Sequence, residues 1–197
     1  MKEDKKISEL LKQRGGYITA KEAREEGIEN KYLQRLVMSG ELERVAHGLY
    51  VREDVFPEVF FLAQYRCPKG VFSHETALFL HGLSDRVPLK MMMTIPSGWN
   101  TQLLKDENYV FFYCGPEKMD LGISEIETPS GVKVKTYDVE RTLCDCLRHI
   151  KKLDRDLVLA ALKQYSGSAE KDSAKLLRYA SIFNIRDIVF RYMEVLT

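Results

Sequence analysis

The sequence predicts an α+β protein made of two different modules. Residues 1–52 combine three short amphipathic helical patterns with a β-hairpin. After a linker expected around Arg52–Pro57, apolar strand patterns fill the middle of the chain and helical patterns fill its end. We therefore expect an N-terminal winged helix-turn-helix over residues 1–54. Residues 57–197 should form a mixed α/β domain with a helical C-terminus.

Composition is that of an ordinary folded protein. Of the 197 residues 45% are hydrophobic and 30% are charged, and the formal net charge is +1, which excludes a largely disordered chain. The apolar stretches Val59–Ala63 and Leu89–Ile95 are far shorter than the roughly 20 residues of a membrane span. The N-terminus lacks the apolar core of a secretory signal, and the four cysteines are scattered. We expect a cytoplasmic protein with reduced thiols.

Local signals place the first two helices. Apolar residues at i, i+3 and i+4 from Ile7 form one helical stripe, and Gly15-Gly16 should end it. Thr19 and Glu22 have the T-x-x-E spacing of a capping box, in which side chain and backbone bond reciprocally at a helix start. The second helix should therefore begin there and stop at Gly27.

The third helix has two distinct faces. Asn30 is its expected N-cap, and Ser39-Gly40 should end it. At helical spacing, the inward face should carry Leu33, Leu36 and Val37. The outward face, toward solvent or a partner, should carry Lys31, Gln34, Arg35 and Met38.

Two short strands should follow the third helix. Residues 42–51 alternate around His47-Gly48, which fits a tight turn. Three helices followed by a hairpin is the order of a winged helix-turn-helix, a fold that reads DNA. Some winged helices bind only protein or pack as scaffolds, so the fold alone does not establish DNA binding.

Candidate DNA contacts lie on the second and third helices and on the hairpin. Arg and Gln side chains make bidentate contacts to guanine and adenine edges in the major groove. Helix N-termini favour phosphate, and a basic hairpin tip can reach a minor groove. By these criteria the candidates are Thr19, Lys21, Asn30, Lys31, Tyr32, Gln34, Arg35, Arg44 and His47.

The charge balance of this module argues against tight binding by one copy. Residues 1–54 hold 11 basic and 11 acidic side chains. A neutral module should bind DNA weakly without sequence preference, so useful affinity needs a homodimer or two copies on an inverted repeat. On charge pattern alone, the outward face of the third helix could equally be an ordinary solvated face.

The sequence of residues 57–197 contains no catalytic constellation. His74 and His81 are seven apart rather than the four that a zinc-binding helix needs. Cys144 and Cys146 would lie about 200° apart on a helix, so they cannot share one ion. We expect no catalytic site, metal or cofactor. Strands are expected at residues 89–95, 109–114, 123–128 and 132–137, and helices at 57–65, 73–81, 138–149, 154–165, 171–182 and 185–196.

Four segments resemble the AbiEi-like antitoxins of type IV (AbiE) toxin–antitoxin systems. They are Gly16–Ala20, Leu42–Tyr50, Phe72–Ser84 and Val134–Asp145, and they occur in the order of that family. The resemblance implies a repressor that binds inverted repeats in its own promoter. It also implies a C-terminal antitoxin domain acting against a nucleotidyltransferase-like toxin, without a stable complex, in phage-triggered abortive infection.

The resemblance also suggests an antitoxin surface. Arg141 and Asp145 are i, i+4 on one helix, and Ser73, His74 and Glu75 are expected nearby. The simpler interpretation of the Arg–Asp spacing is a structural ion pair worth about 0.3–0.5 kcal/mol. Two other functions stay open on sequence grounds. One is an antitoxin acting by protein contact with the winged helix as scaffold, and the other is a nucleic-acid-processing enzyme.

Overall fold

The fold is given by a computed structural model that describes residues 2–101, 104, 108–129 and 131–196. The chain divides into two compact units, Met1–Leu62 and Ala63–Thr197. The first unit extends past the expected linker because Tyr17 holds the segment that follows it. The Tyr17 hydroxyl accepts a 2.7 Å hydrogen bond from the Glu58 amide, and its ring lies 4.9 Å from the Phe61 ring.

The N-terminal unit begins with three helices and a three-stranded sheet. In chain order these elements are α1 (Lys2–Gln13), β1 (Tyr17–Thr19), α2 (Ala20–Glu25), α3 (Asn30–Met38), β2 (Leu42–Ala46) and β3 (Leu49–Arg52). The sheet is antiparallel in the order β1-β3-β2. The expected helices and hairpin are confirmed. β1 was not predicted, since three residues are too few to show an alternating pattern.

Helix α2 begins with the expected capping box. Thr19 Oγ1 accepts a 3.1 Å hydrogen bond from the Glu22 amide, and Glu22 Oε2 accepts a 3.0 Å bond from the Thr19 amide. The expected cap of α3 was wrong. Helix α3 starts at Asn30 itself, and Glu29 occupies the cap position with no side-chain hydrogen bond.

Loss of the Thr19 hydroxyl should weaken the N-terminal unit. Thr19→Ala leaves the Glu22 amide without its capping oxygen, and we expect a loss of about 1 kcal/mol in the free energy of unfolding. Thr19→Ser keeps the capping oxygen, so its free energy of unfolding should lie within a few tenths of a kcal/mol of the wild-type value. Urea titration of the three proteins measures the difference, and equal losses in both variants would contradict a capping role.

The C-terminal unit places helices around a mixed sheet. Its helices are α4 (Val59–Arg66, which begins in the first unit), α5 (His74–Leu80), α6 (Pro116–Met119), α7 (Val139–Arg148), α8 (Arg155–Gly167), α9 (Ser173–Ile182) and α10 (Arg186–Leu196). Its strands are β4 (Val71–Phe72), β5 (Met91–Pro96), β6 (Tyr109–Cys114), β7 (Ile123–Glu127) and β8 (Lys133–Tyr137). The sheet order is β6-β5-β4-β8-β7.

The strands pair in both directions. β5 runs parallel to β6 and β4 parallel to β8, while β4–β5 and β7–β8 are antiparallel. The largest core of this unit joins α5 and α7 to the C-terminal helices through residues such as Leu78, Leu143, Leu162 and Val189. The expected strands and helices are present within a few residues of their predicted ends. Within the described residues, no helix has the length and apolar character needed to cross a membrane.

Candidate nucleic-acid interface

Helices α2 and α3 form a helix-turn-helix. Gly27 has φ +75° at the turn, a left-handed conformation that glycine adopts without steric cost. The next residue, Ile28, is buried, and its amide donates a 2.8 Å hydrogen bond to the Ala23 carbonyl. This turn and the buried isoleucine fix α3 against α2, so the outward side of α3 is held in one orientation.

The outward side of α3 is open to solvent, as the periodicity predicts. We call the exposed residues the α3 face, and they are Lys31, Gln34, Arg35 and Met38. Met38 is 88% exposed, whereas Leu33 and Leu36 are buried in the core of the unit. The two cationic side chains and the amide on this side of the helix can donate hydrogen bonds to the acceptor atoms of major-groove base edges and of phosphates.

Tyr32 and Asp4 orient Arg35. The Arg35 Cζ lies 4.2 Å from the centre of the Tyr32 ring, and its Nη2 lies 3.7 Å from Asp4 Oδ1. The Arg35 side chain nevertheless stays 64% exposed. A partly ordered guanidinium loses less freedom when it meets a planar acceptor such as guanine.

The expectation that Tyr32 contacts DNA was wrong. Tyr32 is buried in the helical core, and its hydroxyl donates a hydrogen bond to the Asp4 carboxylate. Burial, together with that hydrogen bond, raises the pKa of the Tyr32 phenol. Tyr32 supports Arg35 from beneath rather than facing a ligand.

The hairpin β2–β3 forms the wing. Its ladder shifts register between Arg44 and Ala46, and Gly48 has φ +70° in the tight turn. Arg44 Nη2 lies 3.1 Å from His47 Nδ1, and both side chains are exposed. The predicted basic tip is therefore present, with Arg44 and His47 held together at its end.

The other candidates differ in availability. Lys21 and Asn30 are exposed, and Lys21 Nζ lies 3.8 Å from Glu25 Oε1. The Thr19 hydroxyl is committed to the capping box, where it donates a 2.8 Å bond to Glu22 Oε2. The Glu22 carboxylate also occupies the N-terminus of α2, where phosphate was expected, so we leave Thr19 out of the proposed interface.

The predicted antitoxin surface does not lie on the surface. Ser73, His74, Arg141 and Asp145 are fully buried. Glu75 is half-buried, and its Oε1 accepts a 2.8 Å hydrogen bond from the Asp154 amide. This prediction was wrong because i, i+4 spacing does not reveal which side of α7 faces the core.

Arg141 is the centre of the buried polar cluster. Its Nε donates a 2.9 Å hydrogen bond to Asp145 Oδ2, and its Nη1 donates to the carbonyls of Lys118 and Leu121 at 2.9 and 2.8 Å. Its Cζ lies about 4 Å from two ring centres, at 4.1 and 4.3 Å for Tyr137 and Phe183. Burial raises the pKa of Asp145, and the Arg141 charge opposes that rise. The Arg141–Asp145 pair is structural, and it is fully buried from solvent, which its i, i+4 spacing did not reveal.

His74 links a second chain of buried polar groups. Its Nδ1 lies 2.9 Å from Ser73 Oγ, its Nε2 shares a 2.9 Å hydrogen bond with His149 Nδ1, and its ring stacks 3.5 Å from Phe112. The residue has φ +53°, a strained conformation for a side chain of this size. Both ring nitrogens are thus satisfied, and the surrounding contacts hold the strained backbone in place.

Stability of the C-terminal unit should fall in mild acid. Burial lowers the pKa of His74, His81 and His149 below the ordinary 6.5. Below about pH 6.5 the unfolded chain therefore binds more protons than the folded one. Stability should be complete above that pH and decline as the pH falls, by up to about 1.4 kcal/mol per pH unit for each histidine.

Urea midpoints measured from pH 7.5 to 5.5 test this dependence. His149→Gln removes one of the three linked protons and should flatten the decline. A midpoint that stays constant over this interval would contradict the linkage.

A third group of polar side chains, around Glu140, was not predicted from the sequence. Lys175 Nζ lies 3.0 Å from both Asp138 Oδ2 and Glu140 Oε2, and Tyr165 donates a 3.1 Å bond to Glu140 Oε1. Glu140 is only 5% exposed. Its partners Tyr165 and Lys175 lie 25 and 35 positions further along the chain, so no local sequence pattern predicts the group. Its carboxylates already have hydrogen-bonding or charged partners, which fits a structural role.

The N-terminal fold defines a class of protein. Three helices, a helix-turn-helix at α2–α3 and a β2–β3 wing on a three-stranded antiparallel sheet make this unit a winged helix-turn-helix domain. Residues 5–52 match a family model described as "Transcriptional regulator, AbiEi antitoxin". The resemblance to AbiEi antitoxins is thereby confirmed over residues 5–52.

One solved structure extends the similarity of fold to most of the chain. The crystal structure of the RV2827C protein from Mycobacterium tuberculosis matches with a TM-score of 0.65 at 12% identity. The match covers 96% of this chain and 78% of that one, which supports the α+β fold of both units. No curated protein matches the sequence.

Proposed function

We propose that the protein is a cytoplasmic, non-enzymatic antitoxin of the type IV, abortive-infection class that binds its own promoter and represses its operon. The observation that carries the DNA-binding part is the α3 face, where two cations and a glutamine project from the second helix of a helix-turn-helix. The AbiEi family match supports the antitoxin and regulator roles.

The proposed contacts divide into two kinds. Gln34 and Arg35 are the base-reading residues, because amide and guanidinium groups can bond bidentately to base edges. Lys31, Lys21 and Asn30 would hold phosphates, and Arg44 with His47 would place the wing against the backbone or the minor groove. Phosphate contacts set affinity and register, while base contacts set sequence preference.

The neutral charge of the module shapes the proposed binding. With 11 basic and 11 acidic residues in positions 1–54, one copy has little attraction for arbitrary DNA. Specific contacts at two half-sites of an inverted repeat would then supply most of the affinity. Two copies, as a homodimer on DNA, are part of the proposal.

The toxin partner follows from the family rather than from a site. A nucleotidyltransferase-like toxin is the proposed functional partner, countered without a stable complex. The buried positions of Ser73, His74, Arg141 and Asp145 mean that these residues cannot contact a toxin directly. Any antitoxin action of the C-terminal unit must use other, exposed residues.

Titration with upstream DNA tests the proposal. Fluorescence anisotropy should show tight binding to the repeat upstream of the operon, much weaker binding to a scrambled duplex, and affinity that falls with salt. Equal, weak binding to both duplexes would overturn the repressor.

The second candidate, an antitoxin acting by protein contact with the winged helix as scaffold, is favoured by the neutral charge of residues 1–54. Stable co-purification with the toxin would support that candidate.

A further inference from the structure

The N-terminal unit contains a groove with an apolar floor and an acidic rim. It has a volume of about 580 Å³ and lies where α1 and α3 meet the outer ends of β2 and β3. Its floor is formed by Ile7, Leu11, Leu36 and Leu42. Its rim carries four carboxylates, Asp4, Glu41, Glu53 and Asp54. Asp54 is paired with the Arg52 guanidinium, and Asp4 contacts Tyr32 and Arg35. We call this site the acidic groove, and its charge suits a cationic segment with apolar side chains.

The C-terminal unit carries a segment of that chemistry. Residues Arg86–Lys90, with the sequence Arg-Val-Pro-Leu-Lys, join α5 to β5, and we call them the apolar loop. Leu89 is 97% exposed and Val87 is 60% exposed. Large apolar side chains so exposed, two positions apart and flanked by polar residues, are typical of a contact surface. Pro88 restricts the backbone between them, which lowers the entropy lost on docking.

We propose that the acidic groove of one copy binds the apolar loop of a second copy of this chain. The charges are complementary, since Lys90 would meet the Glu41 and Glu53 carboxylates of the rim, while Arg86 is paired with Asp154 of its own chain. The apolar residues are complementary as well, because Val87 and Leu89 would lie on the floor of the groove. If each copy inserts its apolar loop into the acidic groove of the other, two equivalent contacts form, and the product is a two-fold symmetric dimer.

This dimer leaves the Gln34 side of the α3 face open. Tyr32 and Leu36 line the groove, and at 100° per residue each lies about 200° from Gln34 around α3. The occupant of the groove would therefore lie on the side of α3 away from Gln34. Arg35 lies at the border between the two sides, because its guanidinium contacts Asp4 and Tyr32. Self-association itself needs no DNA and does not depend on the proposed function. The inference rests on the proposed function only where it explains how two neutral modules bind one inverted repeat together.

Sedimentation velocity of the full chain, without DNA, tests the exchange. The wild type should dimerise in the micromolar range. Leu89→Ser and Lys90→Glu should each weaken dimerisation about tenfold or more, because they remove the apolar anchor or reverse a flanking charge. Glu53→Lys should weaken it similarly, and the double variant Lys90→Glu/Glu53→Lys should recover most of the loss.

Matched controls separate this site from general surface effects. Phe190→Ser removes an exposed apolar side chain from α10, and Lys163→Glu reverses an exposed charge on α8. Both controls should dimerise as the wild type does. Circular dichroism confirms that each variant is folded, and all substituted side chains are exposed, so loss of fold is not the expected cause.

Two results would overturn the proposal. One is a wild type that stays monomeric throughout the micromolar range, and the other is a dimer that the loop and groove variants leave unchanged. Promoter binding is measured separately by the anisotropy titration. A monomer that still prefers upstream DNA would refute the dimer alone, whereas a dimer with no DNA preference would refute the repressor alone.

Discussion

Asp145→Ala should lower the free energy of unfolding by about 3–5 kcal/mol. The substitution leaves the Arg141 guanidinium in the interior without its carboxylate, and both side chains are fully buried. A lone buried charge costs far more than the exposed pair of the same spacing would contribute. Urea or thermal unfolding, monitored by circular dichroism, measures the loss.

A control with the same helical spacing is available on α2. Lys21 and Glu25 are also i, i+4, but both are exposed and 3.8 Å apart. Glu25→Ala should change stability by no more than about 0.5 kcal/mol. The variant Arg141→Met/Asp145→Ala should lose less than the sum of its single variants, although the carbonyls of Lys118 and Leu121 would still lack a donor. An Asp145→Ala loss as small as that of Glu25→Ala would show that burial does not govern the pair.

Replacing three residues of the α3 face should abolish the preference for upstream DNA. Each good base contact contributes about 1–3 kcal/mol of discrimination. We therefore expect Lys31→Ala/Gln34→Ala/Arg35→Ala to bind the upstream repeat no better than a scrambled duplex. The slope of affinity against salt should also decrease, because fewer cations meet phosphates. The anisotropy titration measures both quantities.

The matched control lies on α1. Lys5→Ala/Lys12→Ala/Gln13→Ala removes two positive charges and one glutamine, all from exposed positions. It changes the net charge as the α3 variant does, so it corrects for long-range attraction to DNA. The control should keep its preference for the upstream repeat. If the α3 variant also kept that preference, α3 would not be the element that reads the sequence.

Local patterns predicted much of the N-terminal unit. The i, i+3, i+4 spacing separated Leu33 and Leu36 from Lys31 and Gln34, because a helix that packs on one side requires that separation. Tyr32 was misplaced for a related reason. Leu36 is i+4 to Tyr32, so the buried stripe is wider than three residues, and Tyr32 extends it toward α1.

The interior of the C-terminal unit could not be predicted in the same way. The Arg141–Asp145 spacing is identical in an exposed and a buried pair, so spacing alone cannot distinguish them. Burial is decided by Phe183, 42 positions later, and by carbonyls on the segment before β7. The pairing of His74 with His149 likewise spans 75 positions. Such contacts depend on tertiary packing, which no short window of sequence contains.

The bonds from Arg141 to Lys118 and Leu121 have a consequence for how the C-terminal unit opens. Residues 118–122 run from the end of α6 into a turn, and such segments usually exchange their amide hydrogens quickly. Here the turn cannot open without releasing a guanidinium that is also bound to α7 and stacked on Phe183. The turn should therefore belong to the same cooperative folding unit as α7, with the Ile123 amide protected from exchange about as strongly as those of the helix.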